Sequence, residues 1–309
     1  MLRSTPPLLA LLLASTLLIL PGATPHAQKK TAQPSTAPSS MEALDCLGGN
    51  RGDPVGSYRC LRREFGPLDG DIECLRATHG DQIAAVEADA KSGRPVVVMK
   101  NGARIAWDDG VTGKTFDQLL DSPDLGDQLS ISYPVGSDFD EPALNDDPGR
   151  IRSEEFFKAI YGATPAEVQQ NLVSVAWMPS VSNKKLKFNK QNGAAEALEK
   201  AIAELEQLPK KLLKYVKTSA GTYNWRTIAG TERLSVHSFG IAVDIDVKYS
   251  DYWRWVMKKD PSLPYRNRIP VEIAEVFERH GFIWGGKWYH FDTMHFEYRP
   301  ELLHPLCVR

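Results

Sequence analysis

Apolar residues along the chain change their period several times, and each period predicts an element. In SEEFFKAIYG they recur at helical spacing between Ser153, a good capping residue, and Gly162, a stop. AAEALEKAIAELEQL keeps that spacing until Pro209 ends it, and PVEIAEVFERHG predicts a short amphipathic helix stopped by Gly281. A helical pattern also closes the segment 41–80 and continues through IAAVEADAKSG. Other stretches alternate with period two. GIAVDIDV turns Ile241, Val243, Ile245 and Val247 to one face and Ala242, Asp244 and Asp246 to the other. PVVVMKNGARIAW predicts two strands around Asn101 and Gly102, a dipeptide suited to a tight hairpin turn. FIWGGKWYHFDTMHFEYRP predicts two more around Gly285 and Gly286, with a turn near Asp292. Residues 121–152 are rich in Asp, Pro and Gly and have no period, so they form a long irregular connection. Within it, Tyr133-Pro134 and Asp147 to Arg150 either line a groove or serve only to turn the chain. No repeat is visible. The fold class expected is α+β, a small antiparallel sheet with flanking helices and an N-terminal accessory region.

The longest apolar run, Leu8 to Leu20, follows Arg3 and ends at Pro21 and Gly22. Its 13 residues fall short of the roughly 20 a membrane-spanning helix needs, and they suit the core of a signal peptide. Residues 1–27 are therefore read as an export signal, with cleavage after Ala27 as the leading reading and a retained N-terminal anchor as the alternative, which predicts a periplasmic or secreted protein with no stable membrane insertion after cleavage. QKKTAQPSTAPSS, 28–40, has the composition of a disordered linker. A cysteine-containing accessory region with a small β module follows over 41–152, and 153–309 carries the candidate chemistry. The cysteines are Cys46, Cys60, Cys74 and Cys307. An even count in an exported chain favours disulfides over free buried thiols; four cysteines allow three pairings, all left open, and the arrangement expected first pairs two of the clustered three and lets the third reach Cys307. Their spacing forms no CxxC pair, which argues against a zinc knuckle. With 42% hydrophobic and 25% charged residues the chain can bury a sizeable core. A formal net charge of -2 gives no basic footprint for nucleic acid. The sequence specifies no oligomeric state.

Chemistry-bearing residues gather in the last third. His237 sits in a turn, and Asp244 lies seven residues on in a strand that points small and acidic side chains to one face. His295 belongs to another strand, with Asp292 three residues before it. Two imidazoles and a carboxylate form a three-ligand set for Zn2+ that leaves the fourth tetrahedral position for water. A carboxylate beside such a site can take a proton from water and hand it to a leaving amine, and Asp292 is the candidate. By itself HxxGxxxD is a weak pattern.

The segment from Ser235 to Asp244, SVHSFGIAVD, resembles the SxHxxGxAxD motif of the zinc D-alanyl-D-alanine carboxypeptidase family. That family includes VanY-like and VanX-like peptidases and the L-alanyl-D-glutamate endopeptidases of phages. Asp292-Thr-Met-His295 resembles its second motif, a carboxylate three residues before the last zinc ligand. The resemblance spans roughly 153–303 and implies a D,D-peptidase/hedgehog-like fold. It implies that His237, Asp244 and His295 bind zinc, that Asp292 is the general base, and that Arg226 stabilises the oxyanion on the scissile carbonyl. Many carboxypeptidase members carry Glu at the base position, whereas Asp is typical of the endopeptidase branch. Ser235 is assigned to substrate contact or to the turn. Glu297, two residues past His295, is grouped with substrate binding and preferred as a partner for a ligand imidazole. His290 is a substrate contact or a rim residue. Trp253, Trp255, Trp284 and Trp288 either stack on glycan or fill the core, with core expected for at least half. The function expected is an exported zinc metallopeptidase acting on peptidoglycan stem peptides as a D-alanyl-D-alanine carboxypeptidase. The alternatives are an L,D- or D,D-endopeptidase, or a non-catalytic wall-binding module of the same fold.

Overall fold

The computed structural model describes residues 67–306; the expected export signal, the linker, Cys46, Cys60 and Cys307 lie outside them. Cys74 is disulfide-bonded. Helix α1 (Pro67–His79) stops where the helical period predicted continuation. At Gly80 a Cβ would meet Arg76 O at 2.5 Å, so the close turn there needs glycine. IAAVEA is then strand β1 (Ile83–Ala88), not helix, because it pairs antiparallel with β2 (Pro95–Met99), Val86 opposite Val97. Strand pairing outweighs the local alanine pattern. β2 pairs in turn with β3 (Arg104–Ala106) across the expected turn, where Gly102 has φ of 87°.

Helix α2 (Glu154–Tyr161) begins after Ser153 and ends at Gly162, and it buries Phe156, Phe157, Ile160 and Tyr161. Strands β4 (Leu172–Ala176) and β5 (Lys185–Asn189) form an antiparallel ribbon against which α3 (Ala194–Leu205) packs. The third sheet holds β6 (Ala242–Asp244), β7 (Phe282–Trp284) and β8 (His295–Tyr298) in the order β6-β8-β7, all antiparallel. Helix α4 (Val271–Arg279) lies on that sheet and buries Ile273, Ala274, Val276 and Phe277 at helical spacing. Phe277 stacks on Phe296 at 4.0 Å between centroids. The fold is thus mixed helix and small antiparallel sheets, as expected. GIAVDIDV is shorter as a strand than its alternation predicts. Ile241, Val243 and Ile245 are buried, but Val247 is 42% exposed and opens a 3-10 turn capped by Asp246. Of the four tryptophans, Trp284 and Trp288 are core, while Trp255 is 43% exposed.

The expected boundary at 152/153 does not separate two cores. One cluster of buried residues runs from Ile72 to Leu302. Buried polar bonds also cross the boundary: Tyr133 Oη donates to Glu278 at 2.6 Å, and Lys287 Nζ donates to Pro134 O and Gly136 O at 2.6 and 2.7 Å. Tyr133 therefore anchors the irregular connection to the core and does not line the groove beside the candidate ligands. No helix among the described residues is long and apolar enough to cross a membrane.

Candidate metal centre

Asp244 and His295 are register partners across β6 and β8, which places both side chains on one face of the sheet. His237 arrives from the 3-10 turn Val236–Phe239, which ends at Gly240 with φ of 69°. A Cβ on Gly240 would also lie 2.6 Å from Leu172 Cδ2, so the motif glycine serves both the turn and a close approach. Ala242 opposes Glu297 in the same register and is too small to crowd it.

The three groups converge. His237 Nε2 lies 3.3 Å from Asp244 Oδ2 and 3.2 Å from His295 Nδ1, which is itself 3.0 Å from Asp244 Oδ1. The second nitrogen of each ring is committed elsewhere. His237 Nδ1 donates to Thr222 O at 2.5 Å, and His295 Nε2 donates to Glu297 Oε2 at 3.1 Å. A carbonyl and a carboxylate only accept, so those nitrogens carry protons and turn His237 Nε2 and His295 Nδ1 toward Asp244. Two imidazole nitrogens and one carboxylate, each ring oriented by an outer acceptor, fit Zn2+ with a position left open.

The electrostatics follow from the same contacts. Burial opposes charge on His295, yet its bonds to Asp244 and Glu297 and their charges lift its pKa to about 9. Burial favours neutral Asp244, but the two imidazoles hold its carboxyl well below the usual range. For Glu297, burial is likewise outweighed, by Arg152, His295 and Arg299, and its pKa is depressed. Asp292 differs: burial raises it to about 6, Asp244 adds to the rise, and His295 and Arg150 oppose it. Its Oδ1 is buried without a hydrogen-bond partner. Its main chain is fixed, since its N–H donates to Gly285 O at 2.9 Å and its carbonyl accepts from His295 N at 3.1 Å. A Cβ on Gly285 would reach Asp292 O at 2.7 Å, so glycine permits that approach.

A cavity of about 140 Å³ brings together His237, Asp244, His295, Asp292, Ser235 and Arg226. Arg226 is exposed, and its Nη1 donates to Thr227 O at 3.3 Å. Glu297 is not on this wall. It is fully buried behind His295, where it accepts from Arg152 Nη1 at 2.9 Å and Arg299 Nη1 at 3.0 Å, so it is not placed to touch a ligand in the cleft. His290 is held by Asp147, with Nδ1 2.6 Å from Oδ2. The cavity also takes Arg150, from the stretch weighed above as groove lining or turn, and Arg152, Tyr252 and Arg254, which sequence reasoning missed. For Arg150 the only signal was its place in the Asp-Pro-Gly-Arg turn. Its guanidinium stacks on Trp288 at 4.5 Å and donates to His290 O at 2.6 Å. A second acidic group, Asp108, Asp109 and Asp124, already faces cations: Lys114 Nζ lies 2.6 Å from Asp109 and 3.7 Å from Asp124, and Arg94 Nη1 lies 2.7 Å from Asp108.

No curated protein and no solved structure matches the chain. Residues 229–298, which hold His237, Asp244, Asp292 and His295, match the family model described as D-alanyl-D-alanine carboxypeptidase.

Proposed function

We propose that the protein is an exported zinc metallopeptidase that cleaves the stem peptides of peptidoglycan, removing terminal D-alanine as a D-alanyl-D-alanine carboxypeptidase. The observation that carries this reading is the convergence of His237, Asp244 and His295 beside the buried, unpartnered carboxylate of Asp292. The signal-like segment 1–27 supports a substrate outside the cytoplasm. Zinc held by the three ligands would supply Lewis acidity and lower the pKa of water. Asp292 is the proton carrier: with a pKa raised to about 6 it is ionised near neutrality, takes a proton from the attacking water and returns it to the leaving amine. Arg226, on the cavity wall, donates to the oxygen that gains charge. Ser235 lines the same wall and contacts the substrate. Glu297, braced by Arg152 and Arg299, holds the Nε2–H of His295 and so directs Nδ1 inward.

One digest of intact peptidoglycan, run with and without chelator and read by mass, tests this. Chelator-sensitive release of free D-alanine is expected; no chelator-sensitive product from any muropeptide would refute it. Release of peptides instead would favour an L,D- or D,D-endopeptidase, the second reading, which the aspartate at the base position supports. A wall-binding module without catalysis is disfavoured because ligands and base are all present.

A further inference from the structure

His295, Glu297, Arg299 and Glu301 take every second position along β8 and the residues just past it, and their side chains join end to end. His295 Nε2 donates to Glu297 Oε2 at 3.1 Å, Arg299 Nη1 donates to Glu297 Oε1 at 3.0 Å, and Arg299 Nε donates to Glu301 Oε1 at 2.5 Å. Glu297, Arg299 and Glu301 are at most 1% exposed, so solvent does little to weaken these bonds. The far end of the ladder is held by residues from upstream. Gln128 Nε2 donates to Glu301 Oε1 at 3.3 Å, while Gln128 Oε1 accepts from Ser153 N at 2.9 Å. Helix α1 packs on the 3-10 turn Pro300–Leu302 and brings His79 Nε2 to 3.9 Å from Glu301 Oε2 and Cys74 Sγ to 3.7 Å from Glu301 O. Arg299 thus sits between two carboxylates, with one N–H turned to each. Without the charge of Glu301, the guanidinium is free to close both donors on Glu297, and a paired grip of that kind would draw Glu297 away from His295.

We propose that Glu301, seated against α1, is a positioning residue for His295: it holds Arg299 between two carboxylates, so that Glu297 keeps one oxygen for the Nε2–H of His295 and Nδ1 stays turned to the ligand cluster. The proposal rests on the metal-binding part of the reading above. It extends the site to residues that touch neither the cavity nor a ligand atom. Arg299, Glu301 and α1 all lie outside residues 229–298, so this support comes from parts of the chain beyond the segment that matches the family model.

The test uses the full chain and two readouts. One is zinc affinity, by competition with a chromophoric chelator. The other, in Co2+-loaded protein, is the solvent exchange of two paramagnetically shifted ring protons, His295 Nε2–H and His237 Nδ1–H. Glu301→Gln should lower zinc affinity about tenfold or more and speed exchange of the His295 proton by about the same factor. The His237 proton, bonded to Thr222 O away from the ladder, should stay within about twofold of its original rate. Arg299→Lys keeps the charge but cannot span both carboxylates; it should act in the same way, and it covers the case in which Glu301→Gln fails to fold. Lys287→Met breaks the buried pair with Glu278, outside the ladder, and should lower stability while leaving both readouts unchanged. Unchanged affinity and exchange in both ladder variants overturns the proposal. So does equal speeding of the two protons, or an equal loss of affinity in Lys287→Met, since either reports general loosening. If the unsubstituted protein takes up neither zinc nor cobalt, the metal reading fails instead; exchange of the same His295 proton in the metal-free protein then judges the ladder by the same criteria.

Discussion

His295 commits both ring nitrogens, one to Glu297 and one to the ligand cluster, and this division sets its chemistry. With its pKa raised to about 9 from the usual 6.5, zinc must displace a proton from Nδ1. Zinc affinity should therefore rise about tenfold per pH unit between roughly pH 6.5 and 9, measured by competition with a chromophoric chelator; a flat profile would mean that the ring is already neutral. In the metal-free protein the same shift adds stability that is complete below pH 6.5 and lost as pH rises through about 9. Glu297→Gln removes the charge that Arg152 and Arg299 face and weakens the brace on His295. Zinc affinity should fall about 10- to 100-fold; unchanged affinity would take Glu297 out of that role. Asp292→Asn should keep stoichiometric zinc and lose about a hundredfold or more in kcat, and normal turnover would return the base assignment to other groups.

At the scale of elements, the site is positioned by short pieces with demanding turns. β6 has only three residues, yet its register with β8 sets Asp244 opposite His295. Between β7 and Asp292 the chain makes a turn in which Gly285 approaches Asp292 O. Gly285→Ala should destabilise the protein by about 1–3 kcal/mol in urea unfolding and displace the Asp292 main chain. Turnover should then fall further than zinc content, and a variant with native stability and rate would show that the turn absorbs a methyl group. Helices α2, α3 and α4 were legible because a helical period and a stop residue agree in each, Gly162, Pro209 and Gly281. β1 was not, because its alanines satisfy a helical pattern and only pairing with β2 makes it a strand.

Across the whole molecule, buried charges tie the chain upstream of residue 152 to the sheet bearing the ligands. Arg299, fully buried, donates to Gly149 O at 2.7 Å, while Glu278 takes Tyr133 Oη, Gly136 N–H and Lys287. Lys287→Met would leave Glu278 without its cation and should cost about 3–5 kcal/mol, read as a lower midpoint in denaturant; a shift below about 1 kcal/mol would contradict the proposed weight of this pair. Local spacing was enough for the α+β class and for most elements, and it singled out His237, Asp244, Asp292 and His295, which the structure brings together, because these lie in two short motifs whose spacing survives without tertiary context. It paired Glu297 with a ligand imidazole but could not supply the arginines that brace it, since Arg152 comes from far upstream, nor place Arg150 beside Trp288. Nor could it show that 67–152 shares a core with the rest. Contacts between residues more than a hundred positions apart leave no local period or cap; packing alone brings them together.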